Sequence, residues 1–476
     1  MSAHDAFQEI MAVRGRGLPP ESQVTITGAD PVFATPFRIG ETVAAVLAGI
    51  GVAVSDLWEL KTGRAQDAAI DVRHAAATLK STAFMLRPDD AGGWRTVESA
   101  EHLAMRGITQ PWPTKDGRYA LPHFGLPNLR ERMLKVLGCE PTPGSVGAAV
   151  ATWDALDLEA AIDEARCCGG MVRSNAEWLA HPHGQALAAK PIVEIIKIGD
   201  SDPEPLPDGP RPLSGIRALD LTRILAGPVA ARTLAEHGAE VLMVAAEGVP
   251  QIAEHVLDTS HGKRSCFLDL KDPADAATMR DLVRQADVFS QGYRPGIMAK
   301  LGLGPEDLAE LRPGIVTASI SCYGADGPLS HRAGWEQVAQ TRTGLGHDER
   351  PDRPRLLPAA ACDYTTGYLG AYGILLALAR RAVEGGSYHV RVSLCQSGMF
   401  IYRQGKIAFD AEGMGHGAAE LDAIRVETDT GHGVYRHLAP VLKLSETPPH
   451  WSRPTPAFGG DAPEWPAREA ATAAAE

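Results

Sequence analysis

From Ile216 to Ser321, short apolar runs alternate with helix-like stretches, and this alternation constrains the chain more than any other feature. IRALDLT (Ile216–Thr222), AEVLMVAA (Ala239–Ala246), CFLDLK (Cys266–Lys271), DVFSQG (Asp287–Gly292) and GIVTASIS (Gly314–Ser321) have the length and content of buried strands. The stretches between them are too long for hairpin turns. PVAARTLAEHG (Pro228–Gly238) and the run from Pro273 to Gln285 read as helices. Strands separated by helices pair in parallel, so the expected fold class is α/β with a doubly wound parallel sheet. Just before this region, DSDPEPLPDGPRP (Asp200–Pro212) is dense in proline and charge and reads as an extended linker.

An internal repeat is the second constraint. ETVAAVLAGIGVAVSDLWELKTG (Glu41–Gly63) aligns without gaps on DYTTGYLGAYGILLALARRAVEG (Asp363–Gly385). Leu47 falls on Leu369, Gly51 on Gly373 and Gly63 on Gly385. Each copy is followed by a strand-like run, AAIDVRHA (Ala68–Ala75) and YHVRVSLC (Tyr388–Cys395). Two unrelated Ala/Gly/Leu-rich helices can match by composition alone. The shared length, terminal glycine and following strand favour a true partial repeat. The copies differ at their acidic position, Glu41 in the first and Asp363 in the second.

A length of 476 residues calls for two or three domains. The net charge of −13 argues against a nucleic-acid partner, because phosphate binding usually leaves a basic stripe. No stretch reaches the roughly 18 uncharged apolar residues of a membrane span, and Met1–Gly15 lacks the apolar core of a signal peptide. Seven scattered cysteines with no C-x-x-C read as reduced thiols, so a cytoplasmic location and no membrane partner are expected. His181, His183, Cys167 and Cys168 fit no standard zinc spacing, and no metal site is expected. HGKRS (His261–Ser265) lacks the early glycine and final Ser/Thr of a phosphate loop. The terminal REAATAAAE (468–476) is low-complexity and reads as frayed.

Three places carry candidate chemistry. Leu225-Ala226-Gly227-Pro228 follows a strand and opens a helix, where free N–H groups suit an anionic phosphate, although a plain strand-to-helix turn reads the same. Gly292-Tyr293-Arg294-Pro295-Gly296 follows another strand end, the side on which open α/β sheets bind ligands. There Tyr293 could stack on a base and Arg294 could bind phosphate, or both could be solvated turn residues. Asp363 precedes a long apolar helix and reads first as its N-cap. The same helix end would keep the carboxylate ionised, as a carboxylate nucleophile requires.

Beyond these readings, the second half resembles the class III CoA-transferases, the formyl-CoA and carnitine-CoA transferase (CaiB/BaiF) group. The resemblance rests on PLSGIRALDLTRILAGP (Pro212–Pro228), KRSCFLDLK (Lys263–Lys271), DVFSQGYRPGIMAKLGLG (Asp287–Gly304), TASISCYGADGP (Thr317–Pro328) and the Asp363 helix. GVYRHLAPVLKLSETP (Gly433–Pro448) is similar to the family's closing segment. KDGRYALPHFGLPNLRERMLKVLG (Lys115–Gly138) and Ala151–Gly184 look like the small domain that normally follows the Asp helix. The chain therefore reads as a rearranged double module. Residues 1–90 are a partial large-domain copy, 91–199 a small domain, 200–212 a linker, and 213–476 a CoA-binding large domain with the closing segment.

The resemblance implies a Rossmann-like large domain, a smaller α/β domain and an interlocked homodimer. It implies an aspartate that takes up an acyl group from acyl-CoA and passes CoA to a carboxylic acid, and Asp363 matches that residue. By the same match Arg223, Ile224 and Ala226 flank CoA. Lys263, Arg264, Tyr293, Arg294, Lys300 and Tyr323 line its adenine and phosphates. CoA is then a substrate, and no tightly bound cofactor is implied. The chain departs from the family at MVAAEG (Met243–Gly248), where a Lys-x-Glu type end is usual, and at Gly292, where Asn is frequent. Two alternatives share the fold: an α-methylacyl-CoA racemase, and a catalytically weak acyl-CoA-binding paralogue. Racemase relatives carry His where AGWEQVAQ (Ala333–Gln340) has Trp335, which favours transfer. Glu41, in a copy without the nucleotide-binding strands, is not expected to form a second site.

Overall fold

The computed structural model describes residues 3–350, 352–410 and 414–467, so the terminal 468–476 lies outside the described residues. Its centre is a seven-stranded sheet. In spatial order the strands are Lys263–Phe267, Glu240–Ala245, Arg217–Leu221, Val288–Gln291, Val316–Ser321, Ser387–Ser393 and Glu194–Gly199. The first six pair in parallel and the last is antiparallel at the edge. Numbered along the chain, the parallel strands run 3-2-1-4-5-6, the classic doubly wound order. The order reverses between Arg217–Leu221 and Val288–Gln291, which opens a crevice at their carboxyl ends.

Two expectations shift. The strand read at Cys266–Lys271 is Lys263–Phe267, because Gly262 turns with φ 78° and sends the Lys263 side chain into the core. Asp269 and Asp272 then leave the sheet, and Asp272 caps the helix Pro273–Val283 by accepting from the Ala274 and Asp275 N–H groups. The edge strand Glu194–Gly199, read within the smaller domain, belongs to this sheet.

The repeat is structural. In the first copy Val24–Thr27 pairs in parallel with Ala68–Asp71 across the helix Ile39–Thr62; in the second, Val316–Ser321 pairs in parallel with Ser387–Ser393 across Ala361–Glu384. The residues before the two helices share one backbone conformation, Arg38 at φ −78°, ψ 57° and Ala360 at φ −82°, ψ 59°. A Cβ on Gly51 would stand 2.6 Å from Ala68, and one on Gly373 would stand 2.5 Å from Val390. Those are corresponding residues, so each glycine lets its helix lie directly on the strand that follows. Asp71 and Ser393 then cap corresponding helices. Ile39–Thr62 is apolar and long enough to cross a bilayer, but it is almost wholly buried and packs on Ala361–Glu384.

The C-terminal segment does not close the large sheet. Gly433–Leu438 pairs with Arg425–Thr430 and, through Arg436, with Leu86–Pro88; Lys443–Leu444 adds a strand to the first copy's pair. A smaller unit forms its own core, with Phe124, Met133, Leu158 and Ile162 between helices and a three-stranded sheet of Trp112–Pro113, Tyr119–Pro122 and Gly169–Met171.

Candidate active site

The crevice at the sheet's reversal is a cavity of about 290 Å³. One wall is the loop between Leu221 and the helix Ala226–Glu236, and the opposite wall is Gly292–Pro295. Ile224 sits in the first wall at φ 76°. For a β-branched residue that conformation costs roughly 1–3 kcal/mol and persists only where surrounding packing imposes it. Ala226 opens the helix and Pro228 is its third residue. Arg223 lines the cavity and donates to the Pro250 carbonyl. Tyr293 is 37% exposed, and its N–H is held by Gln291 Oε1 at 2.7 Å. The Arg294 guanidinium lines the same cavity without a hydrogen bond or ion pair to any described residue.

Asp363 is not the N-cap. The helix begins at Ala361, so Asp363 lies in its first turn, and the capping acceptor comes from a distant segment. Glu336 accepts from the Cys362 N–H at 3.1 Å and from the Asp363 N–H, and its other partner is Gln340 Nε2 at 2.5 Å. With the cap supplied by Glu336, no described side chain or N–H hydrogen-bonds the Asp363 carboxylate. Burial, and then the Glu336 charge, push Asp363 well above its ordinary 3.8. Burial likewise lifts Glu336 from 4.5 to about 7. The expectation that the helix end alone keeps Asp363 ionised therefore needs correction: two buried carboxyls side by side retain a proton between them.

Asp363 also borders a second cavity, of about 780 Å³. Ile224, Leu225, Trp335 and Asp363 line both, so the carboxylate stands in the wall they share. Trp335 packs against His123 of the smaller unit, ring centroids 4.7 Å apart. His123 Nδ1 accepts from the Gly125 N–H at 3.0 Å, and its Nε2 meets Gln337 Oε1 at 2.9 Å, which fixes a neutral ring with both nitrogens engaged. Burial lowers this histidine to about 4.

Not every residue expected at a nucleotide site reaches it. Lys263 is fully buried beneath the crevice, its Nζ 2.8 Å from Asp220 Oδ2 and 2.9 Å from the Pro228 carbonyl. Arg264, at the amino end of its strand, pairs with Asp461 at 3.4 Å. Lys300 is exposed on the short turn Ala299–Leu301, away from the cavity lining. Tyr323 does line the cavity, but its hydroxyl meets Arg342 Nε at 3.3 Å and its carbonyl accepts from His183 at 2.8 Å. Glu336 was missed: AGWEQVAQ drew attention only for the histidine it lacks.

In the first copy Glu41 pairs with Arg38 at 2.7 Å and borders neither cavity. The residue corresponding to Arg38 is Ala360, which leaves Asp363 without that cation.

The model of CoA-transferase family III matches residues 213–417. The chain is 32% identical over 430 residues to the acetyl-coenzyme A transferase nodX of Hypoxylon pulicicidum, a match covering 79% of this chain and 72% of that one. The chain belongs to CoA-transferase family III. The nodX match is longer than the second half of the chain, so it extends into the first half. Other family III relatives align over less. The mouse succinyl-CoA:glutarate CoA-transferase is 36% identical over 208 residues, 40% of this chain and 47% of that one. With most of the other curated relatives, the chain spans about half their length. Among solved structures, Rv3272 from M. tuberculosis is 32% identical, with a TM-score of 0.39, over 41% of this chain and 57% of that one.

Proposed function

We propose that the protein moves CoA from an acyl-CoA thioester to a carboxylic acid, with Asp363 as the covalent carrier. The observation that carries this reading is the position of Asp363 in the wall between two cavities. One cavity has the helix N-terminus, Tyr293 and Arg294 that a nucleotide needs; the other leaves room for an acid.

A carboxylate oxygen of Asp363 attacks the thioester carbonyl, the C–S bond breaks, and CoA departs as thiolate, leaving a mixed anhydride. The thiolate attacks the aspartyl carbonyl, releases the donor acid, and forms an aspartyl-CoA thioester. The acceptor carboxylate then displaces the thiolate, and the returning thiolate takes the acceptor acyl group and frees Asp363. Attack requires the ionised form, so the proton held by the Glu336–Asp363 pair must reside on Glu336. Ile224, Leu225 and Trp335 close the wall against water, which would hydrolyse the anhydride. CoA is substrate here and no resident cofactor is needed.

A racemase would need a base at the substrate's α-carbon. His123, which lines the second cavity with Asp363, has both nitrogens occupied and is held neutral. The test is incubation with acyl-CoA, hydroxylamine trapping and mass spectrometry of the Asp363 peptide. Transfer gives an adduct on that peptide, lost in Asp363→Ala. Solvent deuterium at the α-carbon without an adduct would establish racemisation instead. CoA binding with neither outcome would mark a non-catalytic paralogue.

A further inference from the structure

The second cavity differs from the nucleotide crevice in size and in the way its walls are divided. At about 780 Å³ it lies in the upper part of the roughly 300–1,000 Å³ range of sites that enclose drug-sized ligands. Part of its wall is buried and apolar, with Leu225, Ile252 and Leu357 each no more than 8% exposed, while Glu336, Gln340 and Tyr364 are buried polar residues of the same lining. Farther out the lining turns cationic. Arg353 and Arg355 are exposed there and make no side-chain hydrogen bond or ion pair with any described residue. Lys80 adds another cation, standing 5.6 Å over the Phe84 ring, and Arg106 a further one, paired with Glu98 at 2.6 Å.

Resting on the reading above that Asp363 carries the acyl group, we infer that this chamber selects a large, apolar-bodied carboxylic acid over a short diacid. The free arginines raise the local concentration of an organic anion. The buried apolar walls then reward a body that displaces water from them. A four- or five-carbon diacid reaching Asp363 leaves most of those walls wet.

The experiment is calorimetric titration of the full chain, without any thioester, using pyrenebutyrate, decanoate and glutarate as probes. Pyrenebutyrate and decanoate are expected to bind at least tenfold more tightly than glutarate. Leu356→Trp, which fills the chamber, should weaken pyrenebutyrate at least tenfold while CoA affinity at the other cavity is unchanged. If Leu356→Trp does not fold, Met105→Trp blocks the same space from another wall. Glutarate binding as tightly as the large acids, no binding by any of them, or indifference to the blocking substitution overturns the inference. Selective binding of large acids without CoA transfer or an Asp363 adduct leaves the chamber's preference standing and refutes the transferase reading alone.

Discussion

Replacing Glu336 by glutamine tests the carboxyl pair directly. Glu336 is 4% exposed, and burial raises it from 4.5 to about 7. At about 1.4 kcal/mol per pH unit, that rise is worth about 3 kcal/mol. The folded state holds a proton that the unfolded chain releases between these two values, so the folded state binds more protons there and stability falls as pH rises. The contribution is fully present below pH 4.5 and lost once pH passes about 7. Glutamine cannot titrate. It does turn one donor toward another, either Gln340 Nε2 or the Asp363 N–H, at a pH-independent cost of about 1 kcal/mol. Glu336→Gln should therefore match the parent within about 0.5 kcal/mol at pH 5 and be more stable than it by about 2 kcal/mol at pH 8. Removing the Glu336 charge also eases the upward push on Asp363, which acts in the same direction. Other raised carboxyls, such as Asp30 at about 6 and Glu236 at about 7, are common to both proteins and cancel in the difference. Urea midpoints of both proteins at pH 5, 6, 7 and 8 give the comparison. A stability difference that stays constant across this range, or runs with the opposite slope, refutes the account of the pair.

Lys263→Met should cost about 3–5 kcal/mol in urea unfolding, because it leaves the buried Asp220 with only its Thr222 hydrogen bonds and no counter-ion. CoA affinity of the folded fraction should change little, since Lys263 does not line the crevice. Arg294→Ala should leave stability within about 0.5 kcal/mol, there being no internal partner to lose. Its CoA dissociation constant should rise about tenfold, with a weaker salt dependence, as expected for one lost charged hydrogen bond. An Arg294→Ala protein that binds CoA like the parent places the phosphates elsewhere.

The sequence alone established the parallel α/β order, because apolar runs and helical spacing are local properties that each segment carries with it. It also established the repeat, and the structure places Gly51 on Ala68 and Gly373 on Val390 as that alignment requires. It singled out Tyr293 and Arg294 at a strand end, where chain order and position in the sheet are linked, while Ile224 and the role of Asp363 came through the family resemblance. Local pattern could not place Lys263. A basic residue at the start of a strand looks the same whether its side chain turns out to phosphate or in toward Asp220. Nor could it separate capping from chemistry at Asp363, because the acceptor that relieves it of capping, Glu336, is brought there by tertiary packing. The contrast between the two copies has the same origin: Arg38 neutralises Glu41, while Ala360 leaves Asp363 exposed to two cavities. Secondary structure follows from neighbours along the chain. The charge state and surroundings of a buried carboxylate follow from neighbours in space, and only the folded molecule specifies those.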